Sequence, residues 1–334
     1  MKRYACPTCR NEVHFRNQSC VKCGTQLAYD AIAQIMRPAG NGIALCANAT
    51  GAACNWMAIS AKPGSFCMAC QHNHFVPDAR MAGNRDRWRE VELAKRMLIY
   101  ALMRWSLPHP TRSEDPQKGL AFDFLADAQG PNGVTPVLTG HENGLITINI
   151  AESDDAIRVA NRTAMDEPYR TLVGHMRHEI GHYYWTLLVE GSGQIDRYRT
   201  LFGDERADYA TALQNHYNNG APEGWRQSHI SAYATSHPWE DFAETWAHWM
   251  HICDGVETAA AYGMTLDGTA VMQDAYGAQD VRPVIDAWVP VTVALNNMNR
   301  AMGQPDLYPF VLNTPVLEKL QFINDLIHAN ATRA

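Results

Sequence analysis

Cysteine is concentrated at one end of the chain, and this feature most constrains the fold. Eight of the nine cysteines lie between Cys6 and Cys70, and the ninth is Cys253. The opening MKRYACPTC has no apolar signal segment, so we expect a cytoplasmic protein. In a reducing compartment, clustered CxxC pairs are typical of metal sites rather than disulfides. The sequence therefore predicts a cysteine-rich region over residues 1–80 and a second domain over residues 81–334.

The first cysteine set is regular. Cys6 and Cys9 form one CxxC pair, and Cys20 and Cys23 form the next. Each pair makes a tight turn that aims two thiolates at one point, and two such turns close a tetrahedral zinc site. Zinc holds both turns, so a segment too small to bury its own core can fold. We expect one structural zinc here.

The second set has an expanded first half but ends in a regular CxxC pair. It consists of Cys46, Cys54, Cys67 and Cys70, and His72 and His74 are nearby substitutes if one cysteine is not a ligand. Four thiolates fill a tetrahedral coordination sphere and leave no position for water. Both cysteine sets are therefore predicted to be structural zinc sites in a tandem zinc-ribbon region.

Charge and hydropathy limit the partners of the protein. The first 25 residues are basic, which is compatible with a nucleic acid or an acidic partner but equally with a solvated docking module. The formal net charge of −7 argues against nucleic-acid binding over the whole surface. No stretch approaches the roughly 20 consecutive apolar residues that span a membrane. We expect no membrane association, and the sequence leaves the partner of the ribbons and the oligomeric state open.

Hydrophobic periodicity in the rest of the chain predicts many helices and few strands. Helices are expected at 84–105, 166–190, 204–218, 238–253, 280–302 and 315–331. The segments GLAFDFLAD (119–127) and GLITINI (144–150) alternate as strands do. The predicted class is α+β, mostly helical with a small sheet.

The second of these helices contains the segment HEIGH. Residues four apart on a helix project in nearly the same direction, so His178 and His182 can share one metal. Two neutral imidazoles favour Zn²⁺ among the common cytosolic metals. Glu179 lies about 100° around the helix from His178, where a carboxylate reaches a water on the metal rather than the metal itself. The apolar stripe of this helix lies nearly opposite, so we expect the histidines to face a cleft.

A third metal ligand must come from elsewhere in the chain. Glu190 lies two turns beyond His182 on the same helix and cannot bend back to its metal. Glu205 and Asp208, in the segment DERADY, remain possible, although they also fit an acidic first turn of a helix. The metzincin pattern, which needs Gly and His three and six residues after the second histidine, is absent.

The segment HPWEDFAETWAH offers the favoured third ligand. Glu240 and Glu244 lie four apart and share one face of a helix that is otherwise rich in aromatic residues. Glu240 can bind the metal while Glu244 accepts a hydrogen bond from the ring of a ligand histidine, which fixes the tautomer of that ring.

HEIGH together with EDFAETWAH resembles the gluzincin-type zinc metallopeptidases, and the acidic helix with its preceding tyrosine resembles the catalytic domain of anthrax lethal factor. This resemblance implies a zincin-like fold with Glu240 on the zinc and Glu244 behind it. It also implies that Tyr233, seven residues before Glu240, contacts the attacking water or the tetrahedral intermediate. His237, between Tyr233 and Glu240, is an addition in this chain. Over nearly the whole length, the ribbon, HEIGH and HPWEDFAETWAH resemble a bacterial family of zinc-binding metallopeptidases.

These residues together predict a zinc peptidase with one catalytic and two structural zinc ions. Glu179 is expected to be the general base, with Tyr233 and His237 as oxyanion stabilisers. GLITINI is expected to be an edge strand that pairs with an extended peptide or protein substrate. Two alternatives stay open: a catalytically weak or inactive zincin that binds peptide or protein through its ribbons, and a hydrolase of another amide. Neither substrate sequence nor endo- versus exopeptidase action is predicted.

Overall fold

The computed structural model describes residues 1–130, 133–135, 137, 139–154, 157, 171–266 and 268–332. Within these ranges the chain is mostly helical with small sheets, which confirms the predicted α+β class. It divides into two compact units. The ribbon–sheet unit contains the described residues of 2–100 and 109–155, and the helical unit contains Met1, 101–108 and the described residues beyond 156. The domain boundary near residue 80 stays a prediction.

The ribbon–sheet unit begins with two antiparallel hairpins, formed by strands β1 (Tyr4–Ala5) and β2 (Glu12–Val13) and by strands β3 (Leu27–Asp30) and β4 (Ile35–Pro38). The turn after each CxxC of the first set needs a positive φ, which is 63° at Arg10 and 74° at Gly24. Aromatic rings fill the space behind the hairpins: Phe15 packs edge-on against Tyr29 at 5.0 Å and against Trp56 at 6.0 Å between centroids. This small core supports the cysteine turns.

A four-stranded sheet in the same unit has the order β5-β6-β10-β9. Its strands are β5 (Asn73–Phe75), β6 (Ala121–Leu125), β9 (Gly140–Glu142) and β10 (Leu145–Asn149). A separate hairpin joins β7 (Ala128–Gly130) to β8 (Gly133–Thr135). Both predicted strands are present, but the edge position predicted for GLITINI is wrong. Strand β10 pairs in parallel with β6 over Leu145–Asn149 and antiparallel with β9 over Leu145–Thr147, so it lies inside the sheet and not at its edge.

Helix α1 (Asn84–Arg104) is present, as its long amphipathic pattern predicts. Its residues up to Tyr100 belong to the ribbon–sheet unit and those from Ala101 to the helical unit. The helical unit then contains α2 (Leu172–Leu188), α3 (Ile195–Phe202), α4 (Tyr209–Asn219), α5 (Pro238–Ala261), α6 (Val281–Ala301) and α7 (Thr314–Asn330). A short hairpin joins β11 (Thr265–Leu266) to β12 (Thr269–Ala270). Among the described residues no helix is long and apolar enough to cross a membrane.

Two helix boundaries differ from those expected, and a third lies outside the described residues. The predicted start of α2 near Asp166 lies outside the described residues, and Thr171 caps the described helix through a bond from Gly174 N. Helix α4 begins at Tyr209, later than the predicted start at residue 204, because the side chain of Asp208 caps it. Helix α5 continues to Ala261, well past the predicted end at residue 253. Asp254-Gly255 resembles a helix end in sequence, but Gly255 instead makes room for the ring of Trp288.

Helices α2 and α5 pack tightly, and this contact positions the candidate site. A Cβ built on Gly181 would lie 2.8 Å from Ala243 Cα, so the two backbones meet at a point that only glycine permits. Next to this contact Tyr184 stacks on Trp246, with 4.8 Å between ring centroids. The pairing brings the polar faces of HEIGH and of the acidic helix together.

Candidate metal centre

Three side chains from α2 and α5 converge on one point. The Nε2 atoms of His178 and His182 are 3.1 Å apart. The Glu240 carboxylate lies 2.9 Å from His178 Nε2 and 3.4 Å from His182 Nε2. Neighbouring donors around a tetrahedral zinc with bonds of about 2.0–2.1 Å are about 3.3 Å apart. The ligand atoms of the three residues lie within 4.8 Å of one another. The donor set and its spacing therefore fit a zinc ion.

A cation is needed between these donors because they are otherwise acceptors facing one another. The Glu244 carboxylate lies 2.7 Å from His178 Nδ1, so Nδ1–H donates to Glu244. A neutral His178 then points the lone pair of Nε2 at the Glu240 carboxylate. Burial alone would lower the pKa of His178, but hydrogen bonds and charges from Glu240 and Glu244 outweigh it and raise that pKa well above its ordinary value. Either a proton or a metal ion satisfies this arrangement.

The site is more enclosed than the helical pattern of α2 indicated. His178 is 8% exposed, His182 4% and Glu240 1%. Both faces of α2 are therefore buried, and the expectation that the histidines face a cleft stays a prediction. The apolar stripe predicts only which side packs on the core; the opposite side is covered by α5 and by the segment that precedes it.

Glu179 lies beside the donor set on α2 and is 5% exposed. One carboxylate oxygen is 3.2 Å from Nε2 of His175, one turn earlier. Burial by itself raises the pKa of Glu179, but the contact with His175 and the nearby imidazoles outweigh burial and lower it below the ordinary value. Glu179 is therefore ionised at neutral pH and can accept a proton.

Tyr233 begins a short 3₁₀ turn, Tyr233–Thr235, just before α5. Its ring centroid is 5.9 Å from that of His178, so the structure brings this predicted residue to the site. Ser231, which the sequence analysis did not select, donates to Glu244 across 2.6 Å and accepts from Ala234 N at 3.1 Å. It thereby ties the turn to the acidic helix. A short polar residue two positions before Tyr233 was a weak signal for this role.

His237 lies at the start of α5, and both of its ring nitrogens contact the backbone. Nδ1 accepts from Trp239 N at 3.1 Å and caps the helix, while Nε2 donates to Ala207 O at 3.1 Å. These contacts give His237 a clear structural role. Its predicted help in catalysis draws no support from them and stays a prediction.

Two further aromatic residues that the sequence analysis missed contact the donors. Tyr209, the first residue of α4, donates from its hydroxyl to Glu240 Oε1 at 2.8 Å. Burial and the Glu240 charge raise the pKa of Tyr209, which keeps its hydroxyl protonated. Trp239 packs against the ring of His182 with 4.0 Å between centroids. His182 Nδ1 has no hydrogen-bond partner among the described residues, so this ring contact supports that side of the imidazole.

The alternative third donors are engaged elsewhere. Glu205 forms two hydrogen bonds with the guanidinium of Arg199, at 2.5 and 3.0 Å. Asp208 accepts from Thr211 N at 2.8 Å as the cap of α4. The structure therefore brings Glu240 to the histidines, and not Glu205 or Asp208.

The first cysteine set forms a compact sulfur cluster. Cys6 Sγ lies 3.6 Å from Cys23 Sγ, and Cys9 Sγ lies 3.6 Å from Cys20 Sγ. Sulfur ligands at about 2.3 Å from a tetrahedral zinc are about 3.8 Å apart. All four thiols are free of disulfides. The cluster therefore fits zinc.

The second set forms a deeper cluster of the same kind. Cys54 Sγ is 3.7 Å from Cys67 Sγ and 3.9 Å from Cys70 Sγ, and Cys46 completes the group. The two substitute histidines are engaged elsewhere: His72 Nδ1 is 2.9 Å from Leu120 O, and His74 pairs with Asp123. The four cysteines alone therefore make up this candidate site.

Comparison with known families agrees with the His/Glu site and with the two cysteine clusters. A family model described as "Putative zinc-binding metallo-peptidase" matches residues 84–326, and a zinc-ribbon domain model matches residues 3–81. The first match covers most of the chain and includes all three His/Glu donors; the second includes both cysteine sets. The protein belongs to this zinc-binding metallopeptidase family and carries an N-terminal zinc ribbon.

Mycobacterial relatives match over almost the full length. Two proteins from strains of Mycobacterium tuberculosis and one from Mycobacterium bovis, each named as an uncharacterized protein, are 42% identical over 330 residues. The match covers 98% of this chain and 95% of each relative. No solved structure matches the chain.

Proposed function

We propose that the protein is a zinc-dependent peptidase of the gluzincin type, acting on a peptide or protein. The observation that carries the proposal is the triangle of donors from His178, His182 and Glu240, at 2.9–3.4 Å, with the ionised Glu179 beside it. Three protein donors leave a fourth position open, as catalytic zinc sites do. We propose one zinc ion there and one in each cysteine cluster.

The chain's own residues supply the remaining chemistry. Bound zinc would act as a Lewis acid and lower the pKa of a coordinated water towards about 7. Glu179 accepts the proton of the attacking water and passes it to the leaving amine. Glu244 holds His178 through Nδ1 and fixes its tautomer. Tyr233 donates from its hydroxyl to the oxyanion that develops on the substrate carbonyl.

The test compares the wild type with Glu179→Gln on a diverse peptide library, with zinc measured in both. The variant keeps all proposed metal ligands, so we expect it to retain zinc and lose cleavage. Glu190→Gln is the matched control, because Glu190 lies exposed just beyond the same helix, and it should cleave as the wild type does.

Identical cleavage profiles for wild type and Glu179→Gln, with zinc retained in both, would contradict the proposal. Absence of cleavage in every sample, with peptides still bound, would support instead an inactive zincin that acts as a binding module. Cleavage confined to non-peptide amides would keep the mechanism and change the substrate class.

A further inference from the structure

The Tyr209 hydroxyl donates a hydrogen bond to the Glu240 carboxylate. Neither the three proposed metal donors nor the proposed base Glu179 accounts for this bond. Glu240 offers two oxygens to the site. Oε2 is 2.9 Å from His178 Nε2, whereas Oε1 is 3.4 Å from His182 Nε2 and also accepts the Tyr209 hydroxyl at 2.8 Å. The Tyr209 hydrogen bond occupies one lone pair of Oε1 and so favours metal binding through Oε2, the oxygen without this bond.

The helix that carries Tyr209 contacts the site through several side chains. None of the residues of α4, all of which the structure describes, is buried. Its described links to neighbours include the Tyr209–Glu240 bond, the edge-on contact of Tyr209 with Trp239 at 5.9 Å, and the contact of His216 with Tyr233 at 5.9 Å. Because no residue of α4 is fully buried, these polar and aromatic contacts at the site contribute to holding the helix in place.

We propose that Tyr209 is a positioning residue that keeps Glu240 a one-oxygen ligand, and that docking of α4 and metal binding stabilise each other. The inference rests on the proposed metal site. Both oxygens of Glu240 on the metal would fill the coordination position that the attacking water needs. Tyr209 prevents this by engaging Oε1.

The coupling between docking of α4 and metal binding follows from thermodynamic linkage. A metal ion that fixes Glu240 also fixes the acceptor of Tyr209, so it stabilises the docked helix; by reciprocity the docked helix must tighten metal binding. Outer contacts to metal ligands typically contribute about 10–100-fold to metal affinity. We therefore expect Tyr209→Phe to weaken zinc binding at this site by about 10-fold.

The variant is suited to a clean test because Tyr209 is 41% exposed, so removal of its hydroxyl leaves no core cavity. Tyr217→Phe is the matched control, since Tyr217 lies on the same helix and is 51% exposed. The full-length protein is used, with zinc kept in the cysteine clusters and the His/Glu site emptied and reloaded.

Three measurements are made: zinc affinity by chelator competition, the visible spectrum after loading Co²⁺ into the His/Glu site, and hydrogen exchange of residues 209–219. In wild type and Tyr217→Phe, metal should slow exchange of α4. In Tyr209→Phe we expect weaker affinity, a cobalt spectrum shifted towards higher coordination, and little effect of metal on α4 exchange.

The outcomes separate this inference from the function on which it rests. If wild type binds a third zinc and Tyr209→Phe matches it in affinity, spectrum and exchange, the positioning role is wrong and the metal site stands. If wild type takes up no metal that depends on His178, both proposals are overturned.

Discussion

At Gly181 the backbones of α2 and α5 come closer than a side chain allows. A Cβ at this position would lie 2.8 Å from Ala243 Cα and 3.1 Å from Trp246 Cβ. Gly181 is the residue before His182, so any separation of the helices there also moves a donor away from Glu240. The glycine of HEIGH thus links helix packing to the geometry of the site.

We expect Gly181→Ala to lower the free energy of unfolding by about 1–3 kcal/mol, as overpacking does, and to weaken zinc binding at the His/Glu site. Thermal unfolding and zinc titration measure the two effects. Gly193→Ala is the control, because a Cβ on Gly193 meets nothing within 4 Å. An unchanged zinc affinity in Gly181→Ala would show that the helix spacing does not set the donor geometry.

Removal of the Tyr233 hydroxyl should affect the reaction and not the metal. If Tyr233 donates to the oxyanion, Tyr233→Phe lowers kcat by about 10²–10³-fold, the usual effect of losing one such donor, with KM and zinc content little changed. Steady-state kinetics and metal analysis measure this. Tyr262→Phe, at the other end of α5, should behave as wild type. Equal losses in both variants would assign Tyr233 a packing role.

At the residue scale, the sequence predicted the members of the site that follow local helical spacing. His178, Glu179 and His182 are recognisable because four residues make about one turn, and Glu240 because an acid recurs four residues later. Tyr209, the last residue of DERADY, was not predicted, because in this segment only the acidic residues have a side chain typical of a metal ligand. The hydroxyl of Tyr209 reaches a carboxylate 31 positions away, and only the packing of α4 determines that contact.

The elements of the helical unit are joined by a buried ion pair next to the site. Lys319 on α7 donates to Asp241 on α5 at 2.6 Å and to Ser228 O at 2.7 Å. Asp241 is 1% exposed and Lys319 4%. Lys319 therefore holds both the acidic helix and the segment that leads to Ser231 and Tyr233.

Breaking this pair from one side leaves the buried Asp241 carboxyl without its cation, although burial already raises the pKa of Asp241 to about 7. Lys319→Met should cost about 3–5 kcal/mol of unfolding free energy, because the Asp241 carboxylate loses its partner. The double variant Lys319→Met, Asp241→Asn removes the charge as well and should recover part of the loss. Denaturant unfolding of the zinc-loaded protein measures both. A double variant no more stable than the single would contradict this account.

At the element scale, the periodicity of apolar residues located helices and strands well but could not predict which elements pack or pair with one another in the fold. Strand β10 reads as a strand in sequence, yet alternation carries no information about whether one or two strands pair with it. Helix α3 was not predicted, because its eight residues are too few for a clear period. Helix α5 was predicted too short, because the reason for Gly255 is the ring of Trp288, which lies far away in sequence and occupies the space over this glycine.

For the molecule as a whole, metal content tests the three proposed sites together. We expect about three zinc ions per chain, since four thiolates or a His₂Glu set each hold one. Glu240→Ala should lose one of them, whereas Glu205→Ala should lose none because Glu205 pairs with Arg199. Elemental analysis after gel filtration gives the counts. Loss of zinc from Glu205→Ala alone would move the third ligand to that residue.

Acid should destabilise the whole protein through its buried histidines. Burial lowers the pKa of His72, His229 and His248 to about 4, against about 6.5 in the unfolded chain. Because the folded pKa is the lower one, the stability is fully present above pH 6.5 and is lost as the pH falls through 4. Each of these histidines contributes a slope of up to about 1.4 kcal/mol per pH unit in this window.

His248→Gln isolates one of these contributions, since the amide can still bond the Tyr308 hydroxyl that lies 2.8 Å from Nδ1. Its unfolding free energy should fall less steeply between pH 6.5 and 4 than that of wild type. Denaturant unfolding at a series of pH values gives both slopes. Parallel curves would mean that His248 does not stay neutral in the folded state.

The two cysteine clusters differ in how exposed their thiols are, and this predicts the order in which reagents reach them. In the first cluster Cys23 is exposed, whereas every cysteine of the second is buried. A competing chelator or an oxidant reaches the first set directly but must wait for local opening to reach the second. If both clusters bind zinc as proposed, we expect zinc shortage to empty the first cluster before the second and to yield one defined intermediate rather than a random mixture of partly stripped chains.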